Sequence, residues 1–145
     1  MSQHIIVDSS ALISLTSEDD SNHILAVGIG KTIERQTKKI IIPGEIFTET
    51  VNVIAKKFSH KEALKFGTEL IQSTEYEIVN TVDNIRETAL GKFRNQPASV
   101  SFTDCLVMTF ADEFETKEIF GFDSVFRKNG YIRFGIDKSK TQLPK

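Results

Sequence analysis

The chain has 145 residues, the size of one ordinary domain, and 39% of them are apolar, enough for one packed core. Its single cysteine, Cys105, excludes an intramolecular disulfide and so a disulfide-built secreted scaffold. The formal net charge of −2 does not by itself point to nucleic acid, but it is uneven: from Arg127 onward six Lys/Arg accompany one acid, Asp137, which leaves −7 over residues 1–126. That C-terminal strip reads either as a solvated tail or as a basic flank suited to a phosphate backbone.

In chain order, Met-Ser-Gln-His leads into a short apolar run that ends at Asp8, too soon for a signal peptide. No later stretch approaches the roughly 20 apolar residues that span a bilayer, so a cytoplasmic location is expected. His4–Val7 reads as a buried strand and Ser9–Leu15 as a short helix. Asn22–Arg35 reads as a second helix, weakened by Gly28 and Gly30, with Asp20 or Ser21 as its cap. Lys39–Ile42 is a second strand. Glu45–Phe58 follows Pro43 and carries Ile46, Phe47, Val51, Ile54 and Phe58 at helical spacing. Ser59 with Glu62 has the S-x-x-E spacing of a capping box and opens a helix that runs to about Gln72. Tyr76–Val79 is a third strand, Val82–Phe93 a helix, and Thr103–Phe114 a strongly apolar helix expected against the sheet. Glu118–Phe122 is a fourth strand and Tyr131–Phe134 a weaker fifth.

The strands are rich in Ile, Val and Phe without clean alternation, as strands covered on both faces are. Their alternation with helices predicts an α/β fold, a mostly parallel central sheet of four to five strands with helices on both faces. One domain is expected over residues 1–136, followed by a polar tail over 137–145. Cys105, within Cys-Leu-Val-Met, reads as a buried, inert thiol rather than a nucleophile.

Four acids stand at element ends. Asp8 and Asp123 follow strands, and ligands of open α/β sheets lie beyond the carboxyl ends of the strands. Each could instead cap the helix that follows, Ser9–Leu15 or Ser124–Lys128. Glu49 lies in the first turns of a helix that begins at the same sheet edge. Its apolar neighbours Ile46 and Val53 turn it inward on this reading, with Glu45 as the competing acid nearer the helix start. Asp104 opens an apolar helix, where Ser101 or Thr103 could serve as the cap. Carboxylates forced together raise one another's proton affinity, and a hard cation among them relieves this. Oxygen ligands without a suitable His or Cys set point to Mg²⁺ or Mn²⁺. His4, His23 and His60 lie on separate segments without ligand spacing.

These residues resemble a family, the PIN-domain ribonucleases and particularly the VapC-like toxins of toxin–antitoxin pairs, from about Ile5 to Phe134. The motifs are Ile-Ile-Val-Asp8-Ser-Ser10-Ala-Leu-Ile, Pro43-Gly-Glu-Ile-Phe-Thr-Glu49-Thr-Val-Asn52, Ser101-Phe-Thr-Asp104-Cys-Leu, and Ile-Phe-Gly121-Phe-Asp123-Ser-Val-Phe126. The resemblance implies a three-layer α/β sandwich and metal-dependent hydrolysis of RNA phosphodiester bonds. It implies that Asp8, Glu49, Asp104 and Asp123 form the acidic catalytic and metal site, supported by Ser10. Asp8 and Asp104 would then be direct ligands of one or two Mg²⁺ or Mn²⁺ ions. Glu49 would bind metal or orient the attacking water, and Asp123 would act through water. Lys56, Lys92, Arg94, Arg127 and Lys128 are candidates to meet phosphate. Gly121 departs from the pattern, because the family often has Thr or Ser there. Further implications are a homodimer and a cognate antitoxin that lays a helix or strand into a groove, for which the Phe-rich helices and the surface around Asn22–Arg35 are the candidates.

Rival classes fit less well. A receiver-like phosphoacceptor has adjacent acids after the first strand, but Asp8 precedes Ser-Ser; a haloacid-dehalogenase phosphatase has Asp-x-Asp, but positions 8–10 are Asp-x-Ser. An RNA- or protein-binding module of the same fold with weak or no catalysis is the alternative that Gly121 favours.

Overall fold

The computed structural model describes residues 3–138. The order is β1 (His4–Val7), α1 (Ser9–Thr16), α2 (His23–Arg35), β2 (Lys39–Pro43), α3 (Gly44–Lys57), α4 (His60–Gln72), β3 (Tyr76–Val79), α5 (Asp83–Arg94), α6 (Phe102–Glu113), β4 (Glu118–Phe120), α7 (Ser124–Lys128) and β5 (Ile132–Arg133). The sheet order is β3-β2-β1-β4-β5 and every pairing is parallel.

The chain moves from β1 outward through β2 to β3, then crosses back to β4 and on to β5. Right-handed crossovers place α1–α4 on one face and α5–α7 on the other, because the direction of travel reverses after β3. The packing follows this: α1 lies against α2 and α3, α3 against α4, α5 against α6, and α6 against β1, β2 and α7. The result is a three-layer α/β sandwich, and its topological switch point lies between β1 and β4, where such sheets open a crevice.

Burial on both faces explains the strand composition. Ile5, Ile6, Val7, Ile41, Ile42, Ile119 and Phe120 are fully buried. Residues 105–111 of α6 are all buried too, so its unbroken apolar run is the inner wall of one layer. Cys105 lies inside that wall, where burial and the Asp104 charge push its thiol pKa up, and it behaves as packing.

β4 ends two residues earlier than expected, at Phe120. Beyond it the backbone leaves the ladder for side chains: the Phe122 amide donates to Ser10 Oγ (3.3 Å), and the Phe122 carbonyl accepts from Arg133 Nη1 (2.9 Å). Ser59 caps α4 as expected, accepting from the Glu62 amide at 3.0 Å. The expected cap of α2 is corrected: Asn22 holds the cap position, while Asp20 accepts from the Asn22 amide and the Ser14 hydroxyl, bracing the α1–α2 turn.

Within the expected tail, Asp137 is anchored, receiving Arg133 Nε at 2.9 Å, Nη2 at 2.8 Å and the Arg133 amide at 3.0 Å. Residues 139–145 lie outside the described residues. Among the described residues no helix is long and apolar enough to cross a membrane.

Candidate active site

Asp8 is the centre of the site. It follows β1 at the switch point, its amide held by the Phe120 carbonyl at 2.9 Å, and it is only 7% exposed. It occupies the cap position of α1, yet its side chain accepts no cap hydrogen bond there. The carboxylate instead receives Ser10 Oγ on Oδ2 at 3.2 Å. Burial first, then the charge of Asp104, and less strongly that of Glu49, push its pKa from 3.8 to about 6; the Ser9 amide and Ser10 hydroxyl oppose that rise. A carboxylate kept from water and faced by two others, with one hydroxyl to steady it, is poorly placed for capping and well placed for a cation.

Asp104 stands at the start of α6, where it and Ser101 form a reciprocal capping box. Ser101 Oγ accepts from the Asp104 amide and Asp104 Oδ2 from the Ser101 amide, both at 3.0 Å. One carboxylate oxygen is committed to the helix start, and the charge still reaches Asp8.

Glu49 is exposed, not turned inward as its neighbours suggested. The buried stripe of α3 is Ile46, Thr50 and Ile54, which leaves Glu49 on the open flank. Glu45 is tied elsewhere: it accepts from Thr81 Oγ1, and Arg86 Nη2 stands 3.8 Å from it. Of the two, Glu49 is the one whose charge acts on Asp8.

Asp123 is exposed and caps α7, accepting from the Val125 amide at 3.0 Å on Oδ1. It is not among the charges that act on Asp8. Its link to the centre runs through the backbone, since Ser10 Oγ bonds the preceding Phe122 amide as well as Asp8. Arg133, read from sequence only as part of the basic strip, fastens this corner. It donates to the Phe122 carbonyl, is clamped by Asp137, and lies within electrostatic reach of Asp123.

The structure thus brings Asp8, Ser10, Asp104 and Glu49 into one electrostatic neighbourhood and sets Asp123 at its edge. Among the described residues no three acidic, His or Cys side chains form a ready-made metal-ligand set. The donors still fit a hard, hydrated cation: they are all oxygens, the central one is buried and crowded by like charge, and Mg²⁺ keeps several waters and needs only one or two carboxylates.

Gly121 has a steric reason. A Cβ there would lie 3.0 Å from Asp8 Cβ and 3.2 Å from Phe126 Cε2, so a Ser or Thr would press on the central carboxylate. The hydroxyl that steadies Asp8 comes from Ser10 instead. We expect Gly121→Thr to lose about 1–3 kcal/mol in urea unfolding, the usual cost of overpacking. An unchanged midpoint would show that the corner relaxes freely.

Of the candidate phosphate contacts, Lys92 is engaged by Asp112 at 2.7 Å and is not available. Lys56 lines a groove that also contains Glu49. Among the described residues Arg127 makes one long contact, with Asp137 at 3.9 Å, while Arg94 and Lys128 are exposed at the ends of α5 and α7.

A model of the PIN domain family matches residues 5–130, most of the chain. The chain belongs to the PIN domain family. No curated protein matches it in sequence. Among solved structures its fold is similar to that of Mycobacterium tuberculosis VapC20, a sarcin–ricin loop cleaving toxin, with a TM-score of 0.76 at 18% identity, over 89% of this chain and 97% of that one. At that identity the likeness bears on the fold. In this PIN domain one acid follows β1 and others open α6 and α7, with Gly121 packed beneath the first.

Proposed function

We propose that this PIN domain is a Mg²⁺- or Mn²⁺-dependent ribonuclease that acts as the toxin of a toxin–antitoxin pair. The observation that carries the proposal is Asp8, buried at the switch point and raised to about pKa 6 by burial and two neighbouring carboxylates. Asp8 and Asp104 would hold the cation, with Glu49 at the open side and Asp123 through water. When bound, the cation supplies charge neutralisation at the scissile phosphate and a more acidic water.

The chain's own residues do the rest. Ser10 fixes the orientation of Asp8. The capping box fixes Asp104 relative to α6. Glu49, exposed on its flank, is free to orient a water and take its proton. Arg133 and Asp137 hold the corner that carries Asp123.

Purified protein should cut RNA with Mg²⁺ or Mn²⁺ and stop in EDTA, with activity restored by excess metal. Cleavage that persists in EDTA rejects the metal assignment. RNA binding without cleavage under any divalent ion favours the non-catalytic alternative. The toxin reading adds a homodimer and an antitoxin partner. Ile24, 86% exposed, and Leu25 on α2 border a groove with Phe134 and Ile136 that suits an apolar helix. Expression alone should slow growth, and co-expression of an adjacent small gene should restore it.

A further inference from the structure

A groove of about 1290 Å³ takes in Glu49 and runs between α3 and the β3–α5 corner. That exceeds the roughly 300–1,000 Å³ of small-ligand pockets. Glu45, Glu49, Asn52 and Lys56 recur at helical spacing and lie along this side of α3. Glu49 and Lys56 are seven residues apart, so the face extends about 10 Å from the site. Phe47, Val53 and Ile78 supply an apolar floor, and Asn80 faces α3 from the end of β3, its Oδ1 reaching over Gly44.

Two observations point to a polar occupant. The side chains of Asn52, Lys56, His60 and Asn80 all line the groove, and none makes a hydrogen bond or ion pair with another described residue. Charge is arranged to admit an anion beyond the metal end. Glu45 accepts from Thr81 Oγ1 and stands 3.8 Å from Arg86, whereas Lys56 and His60 at the far end have no such partner among the described residues. Amides over an apolar floor suit the edge and face of an unstacked base, and a lysine further along suits its backbone phosphate.

We propose that this groove seats the single-stranded RNA segment adjoining the scissile phosphate, with one base over Phe47 and Ile78, its edge read by Asn52 and Asn80, and a flanking phosphate held by Lys56. The inference rests on the ribonuclease reading for its substrate class. It is tested by binding as well as cleavage, so the two can fail separately.

The experiment uses the full chain, a labelled mixed-sequence single-stranded RNA in EDTA, and the same RNA with Mn²⁺. The double variant Asn52→Ala/Asn80→Ala should bind about tenfold or more weakly, the loss of one base's contacts. In cleavage it should raise KM and alter the base preference at one position, with kcat little changed. Lys56→Gln should lower the slope of log affinity against log salt by about 0.7, one phosphate contact on a single strand. Lys65→Ala, a surface charge on α4 off the groove, serves as the control. Circular dichroism confirms that each variant folds. Binding without cleavage would sustain the groove and remove the nuclease. Cleavage or binding with unchanged KM, base preference and salt slope in both groove variants would overturn the groove and leave the nuclease. No RNA binding at all would overturn it as well. A fall in mass from dimer to monomer in the double variant, with RNA affinity unchanged, would reassign the groove to an interface between copies of this chain.

Discussion

Asp8→Asn should abolish metal-dependent RNA cleavage and, without metal, make the protein more stable at neutral pH. The two effects have one origin. Asp8 is buried and faces the charges of Asp104 and Glu49, which hold its pKa near 6 against 3.8 for a free carboxyl. A shift of that size corresponds to about 3 kcal/mol of unfavourable interaction for the ionised form. Asn keeps an oxygen to accept from Ser10 Oγ and removes the charge, so a stabilisation of that order is the upper bound.

The sign follows from proton binding. Between pH 3.8 and about 6 the folded state binds more protons at Asp8 than the unfolded state does, so metal-free wild type loses stability relative to Asp8→Asn as pH rises through that window. Below it both states are protonated and the gap closes; above it the gap is full. Urea midpoints of the two proteins at pH 4, 5, 6 and 7.5 should trace this curve. Adding Mn²⁺ at pH 7.5 should stabilise wild type and not the variant, by mass action on the folded state. A variant less stable than wild type at every pH would mean that Asp8 serves the fold, and one that still cleaves RNA would remove it from the reaction.

The sheet was legible because its inner strands β1, β2 and β4 are buried on both faces, and such strands announce themselves as runs of Ile and Val between helical patterns. The end of β4 was not, because Phe122 leaves the ladder for Ser10 and Arg133, residues 112 and 11 positions away. The acids show a deeper limit. The end of a strand and the start of a helix are the same place in an α/β fold, so a cap and a site acid occupy the same position in sequence. Asp104 and Asp123 do make cap hydrogen bonds, and Asp8 does not. What separates them is burial and neighbouring charge, which for Asp8 come from residues 41 and 96 positions away, Glu49 and Asp104. Glu49 illustrates the same point: apolar neighbours suggested an inward side chain, but the stripe that packs is Ile46, Thr50 and Ile54. Asn52 lay within a quoted motif, yet only the fold sets Asn80 across the groove from it. The Arg133–Asp137 clamp left no local signal beyond two charges at i, i+4.

Asp104 carries both roles at once, and a pair of substitutions takes them apart. Asp104→Asn retains an oxygen for the Ser101 amide, so the capping box and α6 should survive. It removes one of the two charges that raise Asp8, so Asp8 should ionise more easily and the metal-free protein should melt at the same temperature or higher. Metal affinity and RNA cleavage should nevertheless fall by orders of magnitude, because charge is what holds a hard cation. Ser101→Ala does the reverse. It deletes the hydroxyl that accepts from the Asp104 amide, costing about 1 kcal/mol of stability, the usual scale of a cap, and leaves the carboxylate in place. Cleavage at saturating Mn²⁺ should stay within a few-fold of wild type. Melting temperature, Mn²⁺ titration and cleavage rate measured on the same preparations separate the roles. If Asp104→Asn cuts RNA at the wild-type rate and loses stability instead, Asp104 is a helix-start residue, and the cation must be held by Asp8 without it.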